Sequence, residues 1–183
     1  PLSLAYVLSE NIINIEKVWM IRANLKSLKT FKYTSLIKSI MNEREEQYRR
    51  KINFIVERVH SFPLKFTSSE STDAYLYRAQ IAIEAAMDVI AMLVKDKGKT
   101  VSDDYHNIDT LLSLKVVTPE AAAQLKHLNG LRNAIVHKYN KFEEESAVNQ
   151  RENIQKNLLA FLKTVEHELK TNFNRTTKPA AKS

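Results

Sequence analysis

Residues 131–140 read LRNAIVHKYN and contain an arginine and a histidine whose chemistry suits a phosphate ester. Histidine suits proton transfer because its pKa lies near neutrality. Arginine suits an anionic phosphate because its planar fork donates two hydrogen bonds and keeps its charge. Metal-independent RNA cleavage needs both kinds of group, since the ribose 2′-hydroxyl must lose a proton, the charge on the phosphoryl oxygens must be stabilised and the leaving oxygen must be protonated. Arg132 and His137 are therefore the candidate catalytic residues.

The spacing of this stretch limits how its side chains can meet. On a straight helix, five residues correspond to a rotation of about 140° beyond one full turn, so Arg132 and His137 do not share a face. Asn133 lies one turn before His137 and shares its face, and Tyr139 nearly shares the face of Arg132. Either the long arginine reaches round the helix or a second copy of the chain completes the site. The geometry therefore predicts a homodimeric site.

The spacing alone has a simpler interpretation. One arginine followed five residues later by a histidine is common enough to arise by chance in a chain of 183 residues. The arginine would then cap helix carbonyls, and the histidine would lie on a hydrated surface.

Composition favours long helices that could position this stretch. The chain has only 2 Gly and 4 Pro, too few for the many tight turns of sandwiches, barrels or doubly wound sheets. Hydrophobic residues make up 44%, which is enough for a core. Cysteine is absent, which excludes disulfides, thiolate metal sites and a cysteine nucleophile.

Apolar spacing predicts the individual helices. One helix spans 41–62 and is stopped by Pro63. A central helix spans about 73–97 and is stopped by Gly98. Its cap is either a capping box from Thr67 to Glu70 or a single residue, Ser71 or Thr72. A short helix and loop occupy 102–117. A further helix begins with Thr118 as cap and Pro119 at its first position, and the last helix spans about 145–171.

These elements predict an all-α fold, an antiparallel four-helix bundle with an extra N-terminal helical segment. We expect three parts: an N-terminal extension over 1–40, a bundle over 41–171, and a basic, disordered tail over 172–183. Because a clean amphipathic helix begins at Met41, the first 40 residues are interpreted as an optional extension.

The stretch GLRNAIVHKY at 130–139 closely resembles the signature of the HepT family in the HEPN superfamily, R-N-x-x-V-H-x-Y after Gly-Leu. The segment RAQIAIEAAMDVIAMLV at 78–94 is similar to the central helix of that family, and 111–139 is similar to the segment leading into its motif. The resemblance covers about residues 41–170. The loop near 99–105 lacks the proline common there, and residues 1–40 have no recognised counterpart.

The resemblance implies an all-helical, dimeric, metal-independent endoribonuclease without cofactors, a toxin whose antitoxin partner is a minimal nucleotidyltransferase. It implies that Arg132 holds the scissile phosphate, that His137 is the general base or acid, and that Asn133 orients the histidine or binds the phosphate. Tyr139 matches the tyrosine that the antitoxin modifies with AMP. Such a modification would block the site by bulk and by negative charge.

Other candidate residues have weaker support. Glu84 and Asp88 lie one turn apart on the central helix and could pair around a metal, but no Glu-x-x-His sequence accompanies them. Salt bridges to nearby cations are the simpler expectation for both, with Glu84 as an auxiliary site residue. His127 lies ten residues before His137 and could reach the same groove. All four histidines outside the motif, His60, His106, His127 and His167, are expected on the surface.

The formal net charge of +7 agrees with a polyanionic partner such as RNA. No apolar stretch approaches the roughly 20 residues of a membrane span, and no signal peptide is recognised, so a cytoplasmic protein is expected. Two alternatives remain. One is a non-catalytic HEPN module that binds nucleotide or RNA or only partners a nucleotidyltransferase. The other is a structural helical dimer whose basic charge is incidental.

Overall fold

The computed structural model of the protein describes residues 31–137 and 144–174, and this part of the chain is helical throughout apart from its short connections. The helices, in chain order, are α1 (Phe31–His60), α2 (Ser69–Asp96), α3 (Asp104–Ser113), α4 (Pro119–Val136), α5 (Glu144–Asn149) and α6 (Arg151–Asn174). The predicted all-α fold is therefore confirmed. None of these helices is long and apolar enough to cross a membrane.

The first helix begins earlier than its apolar pattern predicts. It starts at Phe31 and passes through Met41 without a break, because residues 31–40 contain no proline or glycine that would end a helix. The prediction that the helix starts at Met41 was wrong, and the expected boundary between residues 40 and 41 falls inside α1. The interpretation of 1–40 as an extension and of 172–183 as a disordered tail stays a prediction, since residues 1–30 and 175–183 lie outside the described part.

The central helix α2 begins at a different cap from the one predicted. Ser68 is the N-cap, its hydroxyl accepts from the Ser71 backbone, and the Ser71 hydroxyl closes the reciprocal box. Thr67 and Glu70 fit the capping-box spacing equally well, so the sequence pattern could not select the register. At the other end Gly98 has φ 76°, which places a residue without a Cβ in the left-handed region, as predicted.

The helices α3 and α4 form a hairpin with well-defined starts. Asp103 caps α3, and Thr118 caps α4 with Pro119 at the first position, the cap that the sequence predicted. Asn107 is buried, and its side chain exchanges two hydrogen bonds with the backbone of Ser102, at 2.8 and 2.9 Å. This brace fixes how the first turn of α3 leaves the preceding loop.

The last predicted helix is divided into two. A short α5 ends at Asn149, and α6 begins at Arg151, so the single helix over 145–171 was wrong in this detail. The Gln150 side chain at the break lies 2.6 Å from His127 Nε2 of α4. The Arg151 side chain reaches back to the Pro63 carbonyl at 3.3 Å. Contacts to two other parts of the chain therefore coincide with the break, and local apolar spacing does not reveal them.

Four helices form the bundle, in the order α1, α2, α4 and α6 around its axis, so that α2 and α6 lie diagonally. Helix α3 packs outside, against α2 and α4. Pairing between distant residues gives the directions: Arg44 contacts Asp96 and Lys51 contacts Asp88, so α1 and α2 are antiparallel. Helix α6 is antiparallel to α1 as well, because Arg49 contacts Glu166 whereas Arg151, at the start of α6, contacts Pro63 just after the end of α1.

The core is apolar and is centred on α2, which contributes more buried residues than any other described helix. One polar cluster interrupts it. The Asp96 carboxylate is 6% exposed, accepts two hydrogen bonds from Arg44 Nε at 3.0 and 3.1 Å, and accepts a third from the Tyr48 hydroxyl at 2.7 Å. Burial and the Asp96 carboxylate raise the pKa of Tyr48 above its usual range. The cluster fixes the register of α1 against the last turn of α2.

Candidate active site

Arg132 lies in the last turns of α4 and points toward α2 and α3. Its side chain is 19% exposed, and Nη2 donates to Asp104 Oδ2 at 2.7 Å. Nη1 donates to Asn133 Oδ1 at 2.8 Å. The guanidinium is therefore held in one orientation by acceptors from its own helix and from α3. Two of its five N–H groups are engaged in this way, so donors remain for an incoming ligand.

Glu84 of α2 is the third residue at the guanidinium. Its Oε2 lies 2.9 Å from Arg132 Nε, which is close enough for an ion pair. The Nε–H is not directed at this oxygen, however, and makes no hydrogen bond. Since the Glu84 side chain is 54% exposed, we regard the contact as an electrostatic one that can be exchanged with water or another anion.

Asp104 was not identified from the sequence, although it makes the shortest ion-pair contact to Arg132. It stands in the first turn of α3, directly after the cap Asp103, and the Asn107 brace sets the position of this turn. An acidic residue in a first turn is ordinary, since it complements the helix dipole. Nothing in the local pattern therefore distinguishes Asp104 from a helix-stabilising aspartate, and only the packing of α3 on α4 brings it to Arg132.

His137 follows the last residue of α4 and is exposed. Its backbone N–H donates to the Asn133 carbonyl at 3.0 Å, which closes the final turn, and its φ of −101° and ψ of 41° take the chain out of the helix. Asn133 therefore contacts both candidate residues, through its side chain to Arg132 and through its backbone to His137. In the structure its side chain orients the arginine rather than the histidine.

The remaining predicted site residues are placed as follows. His127 lies on the exposed face of α4 and its Nε2 is 2.6 Å from Gln150 Oε1, at the start of α6. It thus connects α4 to the returning chain. The expected exposure of His60, His106 and His167 is confirmed. Tyr139 lies outside the described residues.

Neither the predicted carboxylate pair nor any other group indicates a metal site in the described segments. Glu84 contacts Arg132, whereas Asp88 forms its ion pair with Lys51 of α1, as the salt-bridge interpretation expected. Over residues 31–137 and 144–174, no group of three or more His, Asp or Glu side chains could hold a metal ion. What the arrangement offers is a fixed guanidinium, suited to anion binding, on a helix that ends at an exposed histidine, whose imidazole is suited to proton transfer.

Comparison with known proteins identifies the family. The sequence model of the family described as Ribonuclease HepT-like matches residues 31–165. The chain belongs to this family. The match begins at Phe31, the first residue of α1, so ten residues of the expected extension are part of the family domain.

Relatives in two archaea support the assignment. A protein of Archaeoglobus fulgidus that carries the provisional name RNase is 40% identical over 126 residues, which are 69% of this chain and 96% of the relative. A second protein of that organism, with the same provisional name, is 39% identical over 127 residues. One from Methanocaldococcus jannaschii, also provisionally an RNase, is 51% identical over 72 residues, 39% of this chain and 83% of the relative.

Solved structures show that the HepT-like chain has the HEPN fold. A tri-AMPylated HEPN toxin of Shewanella oneidensis in complex with MNT antitoxin matches with a TM-score of 0.55 at 17% identity, over 70% of this chain and 97% of the toxin. A toxin–antitoxin crystal structure with AMP-PNP gives a TM-score of 0.54 at 16% identity, over 70% of this chain and 98% of that one.

Proposed function

We propose that this HepT-like chain is a metal-independent endoribonuclease that uses Arg132 and His137. The observation that carries the proposal is the fixed Arg132 guanidinium, 2.7 Å from Asp104, at the end of the helix that His137 terminates. Membership of a ribonuclease family supports it. The net charge of +7 agrees with an RNA substrate.

The reaction follows from the two side chains. The His137 imidazole accepts the proton of a ribose 2′-hydroxyl, and the 2′-oxygen attacks the adjacent phosphorus. The bond from phosphorus to the 5′-oxygen breaks, which leaves a 2′,3′-cyclic phosphate on one fragment and, after protonation of the leaving oxygen, a 5′-hydroxyl on the other. Arg132 stabilises the charge that develops on the phosphoryl oxygens, an electrostatic effect that is often the largest in catalysis.

One imidazole cannot take one proton and deliver another at the same moment, so the proposed site includes a second copy of the chain. In a homodimer the His137 of the second protomer protonates the leaving oxygen. This arrangement also removes the difficulty that Arg132 points toward α2 and α3 while His137 lies beyond the end of α4. A groove between two protomers is accordingly the proposed location of the scissile phosphate.

We further propose that the chain acts in the cytoplasm as the toxin of a toxin–antitoxin pair. The structural match to a tri-AMPylated HEPN toxin bound to an MNT antitoxin supports this idea. Tyr139, two residues after His137, would carry the AMP that a nucleotidyltransferase antitoxin adds. The added phosphates would repel and exclude the RNA phosphate from the same groove.

The test compares the wild type with His137→Ala on total tRNA in excess EDTA, with His60→Ala as an exposed-histidine control. We expect wild type and the control to cleave, with 2′,3′-cyclic or 3′-phosphate ends, and His137→Ala to lose at least about a hundredfold in rate. Intact mass of each protein determines whether Tyr139 carries AMP. Intact RNA with unmodified Tyr139 would overturn the enzyme proposal.

One observation favours the alternative, a non-catalytic binding module. Two carboxylates, Glu84 and Asp104, surround the single cation Arg132, which suits a structural arginine as well as a phosphate ligand. If the unmodified protein binds RNA or a nucleotidyltransferase but cleaves nothing, this alternative replaces the enzyme.

A further inference from the structure

The two helices that lie diagonally across the bundle carry opposite charges on their exposed faces. The exposed row of α2 contains four acidic side chains, at Glu70, Asp73, Glu84 and Asp88. Over residues 151–171, the exposed charged side chains of α6 are three lysines and one acid, and one histidine is exposed with them. Since Glu84 belongs to the α2 row, the candidate active site lies beside this row of acidic side chains.

The three lysines of α6 form a regular row, which we call the lysine row: Lys156, Lys163 and Lys170. Each is exposed, and each follows the last by seven residues, so the row drifts by only about 20° per step along the helix. At a rise of 1.5 Å per residue, neighbouring lysines stand about 10 Å apart and the row spans about 21 Å. His167 is exposed on the same face.

The acids of α6 do not neutralise the lysine row, because each of them has another cation as partner. Glu166 contacts Arg49 of α1 at 2.7 Å, and Glu168 contacts Lys97, directly after α2, at 2.6 Å. Glu152, at the start of the helix, contacts its neighbour Arg151 at 3.0 Å. Among the residues that the structure describes, no ion pair involves the three lysines.

If the protein binds RNA, as proposed, the difference in charge between the exposed rows of α2 and α6 affects where the RNA binds. The cluster around Arg132 contains one guanidinium and two carboxylates, so the described part of the site does not attract a polyanion by its net charge. Most of the affinity of proteins for nucleic acid comes from lysine and arginine contacts to phosphates. An enzyme of this kind therefore needs a cationic surface elsewhere, and the lysine row provides one.

We propose that the lysine row is a second RNA-binding surface, which holds the phosphate backbone of the substrate at a distance from the cleavage site. This inference rests on the proposed function for the identity of its ligand. Lysine ammonium groups act as point charges and read no bases, so the row contributes affinity without sequence preference. Because α6 lies diagonally across the bundle from α2, only an RNA long enough to reach both faces benefits.

The experiment measures RNA binding separately from cleavage, in the His137→Ala background. The test variant replaces Lys156, Lys163 and Lys170 by glutamine. The matched control replaces three exposed loop lysines, at Lys65, Lys99 and Lys115, and lowers the net charge by the same amount. A third variant replaces the lysine row by arginine. Affinities for total tRNA and for a six-nucleotide RNA are measured across a salt series.

For tRNA we expect the glutamine variant of the lysine row to lower affinity about tenfold at moderate salt, and to reduce the salt slope by about 2. The loop control should stay within about twofold of its parent, and the arginine variant should retain binding. The six-nucleotide RNA should bind all variants alike. In the cleavage-competent background, the lysine-row variant should raise KM for tRNA and leave kcat unchanged.

Equal losses in the two glutamine triples would mean that net charge alone acts, and would overturn the proposal. Unchanged tRNA affinity in the lysine-row variant would overturn it too. So would a parallel assay in which that variant loses binding to vesicles of anionic lipid but keeps its affinity for tRNA, because the row would then bind membranes. Selective loss of tRNA binding in a protein that cleaves no RNA would support the lysine row while the proposed function fails. Circular dichroism of each variant checks that these exposed substitutions leave the fold intact.

Discussion

Arg44 and Arg132 are each held by carboxylates, but in surroundings that differ in one decisive respect. Arg44 donates through Nε to both oxygens of Asp96, a side chain that is only 6% exposed. Arg132 contacts Asp104 and Glu84, whose side chains are 29% and 54% exposed. One arginine thus pairs with a buried charge, and the other pairs with two that remain in contact with water.

The difference in exposure determines what each arginine can do. Removing the partner of a buried charge leaves that charge without solvation, so Arg44 cannot exchange Asp96 for a ligand without loss of stability. An exposed carboxylate regains its hydration when it is displaced, so the contact of Arg132 with Glu84 can be exchanged at little cost while Asp104 holds the guanidinium. We therefore interpret the Arg44 cluster as a structural tie between α1 and α2, and the Arg132 cluster as a site held ready for an anion.

The largest effect is expected from Arg132→Ala in a cleavage assay. Loss of the guanidinium removes the stabilisation of charge on the phosphoryl oxygens, and we expect the rate to fall about 10² to 10³-fold. Because both carboxylate partners of Arg132 keep contact with water, the melting temperature should change little. The initial rate of tRNA cleavage and the melting temperature are measured on the same preparation.

Arg44→Ala is the matched substitution for this comparison, and it should show the reverse pattern, with a lower melting temperature and near-normal cleavage by the folded protein. If Arg132→Ala instead unfolded the chain as readily as Arg44→Ala does, the distinction between the two clusters would be lost. The candidate site would then be a second structural tie.

Asp96→Ala should have the next largest effect, on stability. It leaves the Tyr48 hydroxyl and the Arg44 guanidinium without their shared acceptor, and we expect a loss of about 3 kcal/mol in the free energy of unfolding, measured by urea denaturation. Arg44 is 25% exposed and can reach water, which keeps the loss at the lower end of the range for buried pairs. Asp88→Ala, which breaks the exposed pair with Lys51, should cost less than about 1 kcal/mol. Equal losses in the two variants would contradict the conclusion that the buried Asp96 stabilises the fold more than the exposed Asp88 does.

The sequence predicted the fold better than it predicted either cluster. Apolar periodicity and caps such as Thr118 are local signals, and they located the helices and the start of α4. The break at Gln150 and the choice of Ser68 as cap escaped prediction. The break coincides with contacts to distant parts of the chain. The cap could not be chosen because several neighbouring Ser and Thr residues fit the capping pattern equally well.

The candidate site shows the same division between local and distant signals. The Arg132 and His137 pair was recognisable because its residues are close in sequence and resemble a family motif. Asp104 precedes Arg132 by 28 residues, and Asp96 follows Arg44 by 52, so no spacing rule connects them. Only the packing of one helix on another turns an ordinary acidic residue into the partner of a particular arginine.

A smaller effect is expected from Asp104→Asn. Asparagine keeps the shape and one acceptor but loses the charge that strengthens the hydrogen bond to Arg132 Nη2. We expect kcat for RNA cleavage to fall about tenfold, equivalent to about 1.4 kcal/mol, with rescue by Asp104→Glu. Asp109→Asn on the same helix, whose partner is Lys126, should have no effect.

The direction of the Asp104→Asn effect separates two roles. A fall in kcat with unchanged KM means that Asp104 orients the guanidinium for the transition state. A lower KM with unchanged or higher kcat would mean that the carboxylate competes with the phosphate, and would contradict a positioning role.

The smallest effect is expected from Tyr48→Phe, and it depends on pH. Near pH 8 the variant should be less stable by about 1 kcal/mol, because the hydrogen bond to Asp96 is lost. Burial and the Asp96 carboxylate raise the pKa of Tyr48, so the folded state keeps the phenol proton after the unfolded state has released it. That contribution to stability is complete below the unfolded pKa of about 10, and it falls by about 1.4 kcal/mol for each further pH unit until the folded pKa is reached.

Denaturation of wild type and Tyr48→Phe at a series of pH values tests this sign. The wild type loses the Tyr48 contribution above pH 10 and the variant has none to lose, so their stabilities should converge within about one pH unit. Groups common to both proteins, such as the lysines, cancel in the difference. Tyr75→Phe should behave alike, since burial also raises the pKa of Tyr75, whose hydroxyl donates to the Ala147 carbonyl at 2.9 Å. A constant difference up to pH 11 would mean that the Tyr48 hydroxyl is not sealed from water, and that the Arg44 cluster is as open to exchange as the one around Arg132.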